Sequence, residues 1–333
     1  MTHQDHIDTP AGRDVRAPRE RAAAQPETVP PAEFRSYYGR PVLKQPVWKV
    51  PDVPVYLFSG GMAGASAVLA ELAAATGRPA LARVARLGAA GGALAGVGLL
   101  IHDLGRPARF LNMLRMVKFT SPLSVGTWIL SPFSALTTAA AASEITGVAP
   151  VLGRAAGLGA AALGGPMTTY TAVLITDTAV PAWHEAYREM PVVFGASAVS
   201  AAGGLGLLGL GVLGADVAEN APAARLGAAG AAVELAAGTA MERRLGDIGE
   251  KYRTGPAGRW LRAARVLSAT GAVGAIAGRR HRGVAAASGV ALLAGSLATR
   301  FGIFFAGRAS AADPRDTVVP QRARVSRSGP GSP

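Results

Sequence analysis

The sequence contains no cysteine, and it is poor in charged and aromatic residues. The missing thiols exclude disulfide bonds, thiolate zinc sites, cysteine nucleophiles and cysteine-held iron–sulfur clusters from this chain. Charged residues make up 17% of the 333 positions and hydrophobic residues 50%, whereas a soluble domain carries about 25% charged residues. This balance disfavours a soluble enzyme and is typical of a helical protein that crosses a membrane several times.

The net charge is strongly positive, at +13, with 34 Lys and Arg against 21 Asp and Glu. In a soluble protein such an excess suggests nucleic-acid binding. Here the basic residues lie between apolar segments and in the polar ends of the chain, a distribution typical of membrane topology and of contact with anionic lipid. We therefore expect the chain to contact the lipid bilayer and not to bind nucleic acid.

Eight apolar segments are long enough to cross a bilayer, which takes about 20 helical residues. Residues 50–306 thus form a predicted all-α membrane domain between a polar tail (1–49) and a basic tail (307–333), both expected to be largely disordered. The eight segments are 53–75, 82–102, 123–145, 153–176, 192–213, 226–241, 261–277 and 284–306.

An even number of spans places both termini on one side of the membrane. That side collects most of the loop Lys and Arg residues, so the positive-inside rule predicts that both termini are cytoplasmic. The basic loop 278–283, on the other side, counts against this orientation. The longer loops 103–122, 177–191 and 242–260 lie on the terminal side, where we expect a partner or ligand to bind.

Three carboxylates, Glu71, Glu144 and Glu234, lie at or near membrane depth. Glu234 stands four residues from both Gly230 and Gly238, so it shares their face and is expected to point into the bundle. Ionisable groups in hydrocarbon are costly and usually functional, which makes Glu234 a candidate for proton handling or for lining a polar cavity. Glu71 and Glu144 lie nearer the segment ends and are better explained as interfacial anchors.

A histidine, a carboxylate and two arginines meet where the second segment ends, at His102, Asp103, Arg106 and Arg109. Asp103 and Arg106 can form an ion pair if the helix continues, although Pro107 disfavours helical geometry at Arg106. An aspartate beside an arginine can accept or release a proton next to a ligand carbonyl, which makes Asp103 a catalytic candidate. The alternative is an ordinary helix end with arginines reaching to the interface.

Aromatic residues and histidines narrow the possible cofactors. Trp48 and Tyr56 flank the start of the first segment, whereas Tyr170 lies too far inside its segment for the interfacial aromatic belt and needs a hydrogen-bond partner. None of the five histidines lies near the middle of a segment, which argues against a bis-histidine haem. We expect neither a haem nor a metal site in this chain.

Four stretches carry a resemblance to a known family. They are WKVPDVPVYLFSGGMAGAS (48–66), DLGRPARFLNMLRMVKFTSPLSVGTW (103–128), residues 170–194 with TAVPAWH at 178–184, and ERRLGDIGEKYRTGPAG (242–258). With these stretches the chain, over residues 34–308, resembles the NrfD-like, polysulfide-reductase-type membrane subunits of bacterial respiratory oxidoreductases. The Asp-Leu-Gly-Arg-Pro-x-Arg-Phe block is the most specific part of the match.

The resemblance implies eight transmembrane helices in two four-helix bundles within the bacterial plasma membrane. It implies a chain that holds no haem or iron–sulfur cluster, binds menaquinone or menaquinol, and exchanges electrons with a ferredoxin-like iron–sulfur subunit linked to a molybdopterin-type catalytic subunit. The positions that it assigns to the quinone site are Trp48, Tyr56, His102, Asp103, Arg106 and Tyr170. We expect Asp103 and Glu234 to handle protons, and Arg109, Arg115 and Lys118 to dock the partner.

Two other functions are consistent with the same residues. An ion-coupled secondary transporter would use Glu234 as a coupling-ion site near the middle of the membrane, although the sequence has no convincing internal repeat. A purely structural anchor would tether a partner without binding a quinone. A measurement of quinone binding would distinguish a quinone-binding oxidoreductase subunit from both alternatives.

Overall fold

The structure, a computed structural model, describes residues 42–319 apart from 107 and 116. In this part of the chain all regular structure is helical. The predicted tails fall largely at 1–41 and 320–333, outside the described residues. The helices are α1 (Asp52–Ala75), α2 (Pro79–Leu104), α3 (Ala108–Met113), α4 (Pro122–Thr146), α5 (Pro150–Thr176), α6 (Pro181–His184), α7 (Met190–Leu213), α8 (Asn220–Arg244), α9 (Glu250–Arg253), α10 (Gly255–Ala277) and α11 (Arg282–Ala312).

Each of the eight predicted segments lies inside one of the long helices. Within the described residues, five helices are long and apolar enough to cross a membrane, namely α1, α2, α5, α7 and α11. The other long helices, α4, α8 and α10, fall outside that set. In α8 and α10 the physical reason is charge, because α8 carries arginines and glutamates and α10 carries three arginines. α11 continues to Ala312, beyond the predicted boundary at 306.

Proline and glycine set several helix boundaries. Pro79, Pro122 and Pro150 begin α2, α4 and α5, where the N–H that proline lacks would have no intrahelical acceptor. α2 ends at Gly105, whose φ of 72° is the left-handed conformation that glycine adopts without strain. The chain therefore turns away from the helix axis before Arg106.

Small residues bring the long helices together. α1 packs against α2, α5 and α7, and α7 packs against α8 and α11. A Cβ atom added to Gly64 of α1 would come within 2.7 Å of the Gly164 carbonyl oxygen in α5, and one added to Gly203 of α7 would meet the backbone of Gly227 in α8. Only a residue without a side chain permits such approaches, which are the usual means of helix association in lipid.

The end of the bundle where α1 begins and α11 ends is called the terminal face below. Its loops are linked by polar contacts. Arg244 at the end of α8 donates through Nε and Nη2 to the two carboxylate oxygens of Glu189, at 2.5 and 2.7 Å. The hydrogen bond from Arg244 lowers the pKa of Glu189 below its usual value. Tyr252 of α9 donates its hydroxyl to the Ala182 carbonyl at 2.7 Å, so α6 and α9 are fixed to each other.

Candidate functional site

The chain just before α1 is bound to the end of α2 at the terminal face. The backbone N–H of Lys49 donates to Asp103 Oδ1 at 2.9 Å, and Lys49 Nζ donates to the His102 carbonyl oxygen at 2.9 Å. Asp52, in the first turn of α1, lies 2.6 Å from His102, between Oδ2 and Nδ1. His102 and Asp103 are thus held in place by three groups from residues 49–52.

Asp52 and His102 form a carboxylate–imidazole pair at the boundary of the bundle. Asp52 is buried, whereas the side chain of His102 is 72% exposed. Histidine is the side chain whose charge changes most readily near neutral pH, and a neighbouring carboxylate orients its ring. The pair therefore places an exposed imidazole in direct contact with a buried carboxylate at the terminal face.

Two buried tyrosines lie below this pair. Tyr56 follows Asp52 by one helical turn in α1, and its hydroxyl is hydrogen-bonded to the hydroxyl of Tyr170 in α5. The prediction that Tyr170 needs a polar partner is confirmed, and the partner is Tyr56. Each phenol can donate one hydrogen bond and accept others, so the pair keeps the capacity to bind a further oxygen atom.

A glycine makes room for the Tyr170 ring. A Cβ atom at Gly126 of α4 would lie 2.5 Å from Cε2 of Tyr170 and 2.8 Å from its Cδ2. These distances are far shorter than van der Waals contact, so only glycine at position 126 leaves the ring where it is. α1, α4 and α5 therefore jointly determine the position of the two hydroxyl groups.

Trp48 is held by a second tryptophan. Its ring stacks on Trp183 of α6, with 5.4 Å between the ring centroids. Trp183 is fully buried, and its Nε1 donates to the Ile303 carbonyl of α11 at 2.8 Å. Beside the stack is an open cavity of about 370 Å³, lined by residues 43–48, 178–180 and Trp183. The stack connects residues 42–50 with both α6 and α11.

The predicted docking residues Arg109, Arg115 and Lys118 are exposed near α3 and the start of α4. Arg109 donates to the Leu104 carbonyl at 3.1 Å. Arg109 and Lys118 line a cavity of about 390 Å³, and none of the described residues in its wall is acidic. Arg106 is exposed as well, and the suggested Asp103–Arg106 pair is absent from the described residues because α2 ends before Arg106.

Glu234 lies apart from these residues, inside the packing of α8 against α11. It is 4% exposed, and Thr299 of α11 donates to its Oε1 at 2.6 Å. The expectation that Glu234 points into the bundle is confirmed. Glu234 does not line the tyrosine site.

Glu71 and Glu144 are not independent interfacial anchors. Arg86 of α2 donates through Nη2 to Glu71 at 2.8 Å and through Nη1 to Glu144 at 2.5 Å. Their side chains are 12% and 27% exposed, so the three residues form a partly buried ion cluster. It joins α1, α2 and α4 at the end opposite the terminal face.

The structure brings five of the six predicted quinone residues into one continuous region: Trp48, Tyr56, His102, Asp103 and Tyr170. Arg106 lies exposed at the edge of this region.

The sequence did not predict the contacts of Lys49 and Asp52, which depend on how α1 meets α2. It also missed Arg300, a fully buried arginine inside the apolar α11, although a charge within such a segment is itself a signal.

A protein-family model described as "Polysulphide reductase, NrfD" matches residues 42–236. The chain belongs to the NrfD family. The match spans more than half of this NrfD protein, from the segment before α1 to Ala236 of α8, and it includes every residue of the tyrosine site. The stretch 242–258 and Arg300 lie beyond it. No curated protein matches the chain.

Membership in the NrfD family indicates a membrane subunit of the quinone-linked oxidoreductase type. The all-helical fold and the five apolar helices of the described residues agree with a multi-pass membrane protein. NrfD proteins act together with other oxidoreductase subunits. The tyrosine site and the terminal face are where a quinone and a partner would have to be accommodated.

Proposed function

We propose that this NrfD protein binds menaquinone or menaquinol and exchanges electrons with an iron–sulfur partner at its terminal face. The observation that carries the proposal is the buried Tyr56–Tyr170 hydroxyl pair, one helical turn below the Asp52–His102 pair. Hydroxyl donors with apolar surroundings suit a quinone carbonyl oxygen, because the ring and its isoprenoid chain are apolar.

The chemistry requires both proton and electron acceptors. Oxidation of a quinol releases two protons and two electrons, and reduction of a quinone consumes them. In the proposal a tyrosine hydroxyl orients a quinone oxygen, and Asp103, with the Asp52–His102 pair, exchanges protons with the terminal face. The two electrons pass to the clusters of the partner, since the chain has no cysteine to hold a cluster of its own.

The basic residues near α3 support the docking part of the proposal. Arg106, Arg109, Arg115 and Lys118 are exposed at the terminal face. An acidic surface of a ferredoxin-like subunit would complement them and be steered towards them. That subunit would connect the NrfD protein to a molybdopterin-type catalytic subunit.

The membrane arrangement forms part of the same proposal. Eight spans, including α4, α8 and α10, would make two four-helix bundles, one of α1, α2, α4 and α5 and one of α7, α8, α10 and α11. The helix contacts support this grouping, because each of these sets is joined by contacts between its own members. The excess of basic residues on the terminal side favours cytoplasmic termini in a bacterial plasma membrane.

The test is a binding titration of a menaquinone analogue with the full-length protein in lipid nanodiscs. Tyr170→Phe removes one hydroxyl and is expected to weaken binding about tenfold, the loss of one good hydrogen bond. Tyr187→Phe is the matched control, because Tyr187 is exposed and its hydroxyl accepts from Arg188 Nε outside the site. Equal binding by Tyr170→Phe and Tyr187→Phe would remove the tyrosine pair from the proposal, and no binding by the wild type would favour the structural anchor.

A further inference from the structure

A second buried polar site lies between α8, α10 and α11, separate from the tyrosine pair. Its cavity is lined by Glu234, Glu242, Arg265, Ser268 and Thr299, among apolar neighbours. We infer that this cavity is hydrated, that it connects Glu234 with the terminal face, and that Glu234 exchanges protons with its water. The inference deepens the proposed proton-handling role of Glu234 but does not depend on quinone binding.

The first argument is the unsatisfied hydrogen bonding of Glu234. Its Oε1 accepts from Thr299, and the Ser197 hydroxyl of α7 also interacts with the carboxylate. Among the described residues, the buried Oε2 of Glu234 and the buried Oγ of Ser268 in the same wall accept or donate no hydrogen bond. Buried polar atoms without a partner are costly, and ordered water normally satisfies them. The cavity has a volume of about 30 Å³, and a water needs about 10–15 Å³ by this measure, so there is room for about two.

The second argument is Arg300, which provides a positive charge close to Glu234. Arg300 is fully buried, its Nη2 donates to the Phe194 carbonyl at 2.9 Å, and its guanidinium lies 3.7 Å from the centroid of the Phe194 ring. Its Nε and Nη1 have no hydrogen-bond partner in the part of the chain that the structure describes. Arg300 directly follows Thr299, the residue that donates to Glu234, which places its charge near the carboxylate, yet the two side chains make no direct ion pair within the described residues.

Arg300 therefore acts as a positioning residue rather than as a fixed counter-ion. A direct ion pair would hold Glu234 permanently ionised, whereas a charge at a distance stabilises the carboxylate without preventing its protonation. The carboxylate takes a proton from a hydronium ion of the cavity and returns it to water. The positive charge of Arg300 sets how readily Glu234 takes up and releases this proton.

The third argument is the polar mouth of the cavity. Arg265 of α10 forms an ion pair with Glu242 of α8, and the Arg265 side chain is 41% exposed while Glu242 is 9% exposed. Glu242 lies eight residues from Glu234 on the same helix, about 12 Å along the axis. Polar groups thus mark both ends of a short route from the terminal face to the buried carboxylate.

The experiment is infrared spectroscopy of the full-length protein in nanodiscs without quinone, in H₂O and D₂O, at mildly acidic and alkaline pH. The difference spectrum should contain a carboxylic-acid carbonyl band that disappears in Glu234→Gln and moves in Glu234→Asp. In D₂O this band of the wild-type protein should shift as soon as the buffers are mixed. A wild-type spectrum without a band assignable to Glu234, or a band that does not shift in D₂O, would overturn the inference.

Arg300→Gln and Arg308→Gln test the positioning role. Arg308 lies in the same helix but is exposed. Because the buried positive charge is lost, Arg300→Gln should keep the carboxylic-acid band to a higher pH than the wild type, whereas Arg308→Gln should titrate like the wild type. Identical titrations in the two variants would contradict the role of Arg300. Because no quinone is present, either outcome leaves the quinone-binding proposal to its own test.

Discussion

The hydroxyl groups of Tyr56 and Tyr170 are hydrogen-bonded to each other although 114 positions separate them in the sequence. Neither helix creates this contact alone. α1 and α5 approach through Gly64 and Gly164, and Gly126 of α4 leaves space for the Tyr170 ring. A polar pair inside an apolar bundle has a desolvation cost, which the hydrogen bond between the two hydroxyls offsets in part.

Gly126→Ala should disturb the site without changing a polar atom. The added methyl group would meet the Tyr170 ring at 2.5 Å and displace it, so we expect binding of a menaquinone analogue to weaken about tenfold. Gly98→Ala is the control, because a Cβ atom at Gly98 meets nothing within 4 Å. Unchanged binding by Gly126→Ala in a titration would contradict the role of the Tyr170 position.

Asp103→Asn should abolish proton exchange while preserving assembly. The amide oxygen of Asn can still accept the Lys49 N–H, so the segment before α1 should stay in place. Quinol-dependent turnover of the complete oxidoreductase should fall about 100-fold or more, the usual contribution of a positioned proton acceptor. Asp247→Asn, a change of an exposed aspartate elsewhere on the terminal face, should have no effect. Full turnover by Asp103→Asn would reject the assignment.

Arg86→Met should destabilise the fold by leaving Glu71 and Glu144 without their shared cation. Removing one partner of a buried ion pair costs about 3–5 kcal/mol, because the remaining charge is uncompensated, and solvent screening makes the loss smaller in this partly buried cluster. Unfolding of the purified protein by detergent titration measures this loss. Arg83→Met is a control in the same helix, since Arg83 is exposed, and the triple change Glu71→Gln, Arg86→Met, Glu144→Gln should recover most of the stability. A stable Arg86→Met protein would contradict this account of the cluster.

The Glu189–Arg244 pair should make stability depend on pH in the acidic range. The hydrogen bond from Arg244 lowers the pKa of Glu189 in the folded protein. A carboxyl group with a lowered folded-state pKa contributes stability above its unfolded value of about 4.5 and loses that contribution as the pH falls through the folded value. The melting temperature of Arg244→Gln should therefore lie below that of the wild type at neutral pH.

The same melting curves at strongly acidic pH provide the control for this pair. There the difference between Arg244→Gln and the wild type should shrink to the contribution of the hydrogen bond from Arg244 to the Glu185 carbonyl, because Glu189 is protonated in both. Arg243→Gln, which removes a neighbouring exposed charge, should behave as the wild type throughout. A difference that persists unchanged into acid would assign the effect to packing instead.

Much of the helical fold could be predicted from apolar runs, because a segment of that length and composition has few alternatives to a helix. The ends of α8 could not, since the helix continues through charged residues at Arg243 and Arg244 that an apolar run excludes. Arg300 was not predicted as a special residue for the opposite reason. A single charge hardly alters the mean hydropathy of a long apolar segment.

The individual site residues were easier to select than their contacts. Tyr170 could be recognised as unusual from its depth alone, but its partner depends on the packing of α1 against α5. The suggested Asp103–Arg106 pair assumed a continuing helix, whereas Gly105 ends it, and Asp103 accepts from Lys49 instead. Contacts between distant positions require the three-dimensional arrangement that a local pattern does not contain.

The most direct measurement is photoaffinity labelling of the full-length protein in native membranes with an azido-menaquinone, followed by peptide mapping with mass spectrometry. The account predicts labelled peptides from α1, the end of α2 or α5, around Tyr56, His102 and Tyr170, and competition by unlabelled menaquinone. Labelling confined to α8, α10 and α11, or labelling that menaquinone does not reduce, would contradict the assignment of the quinone site.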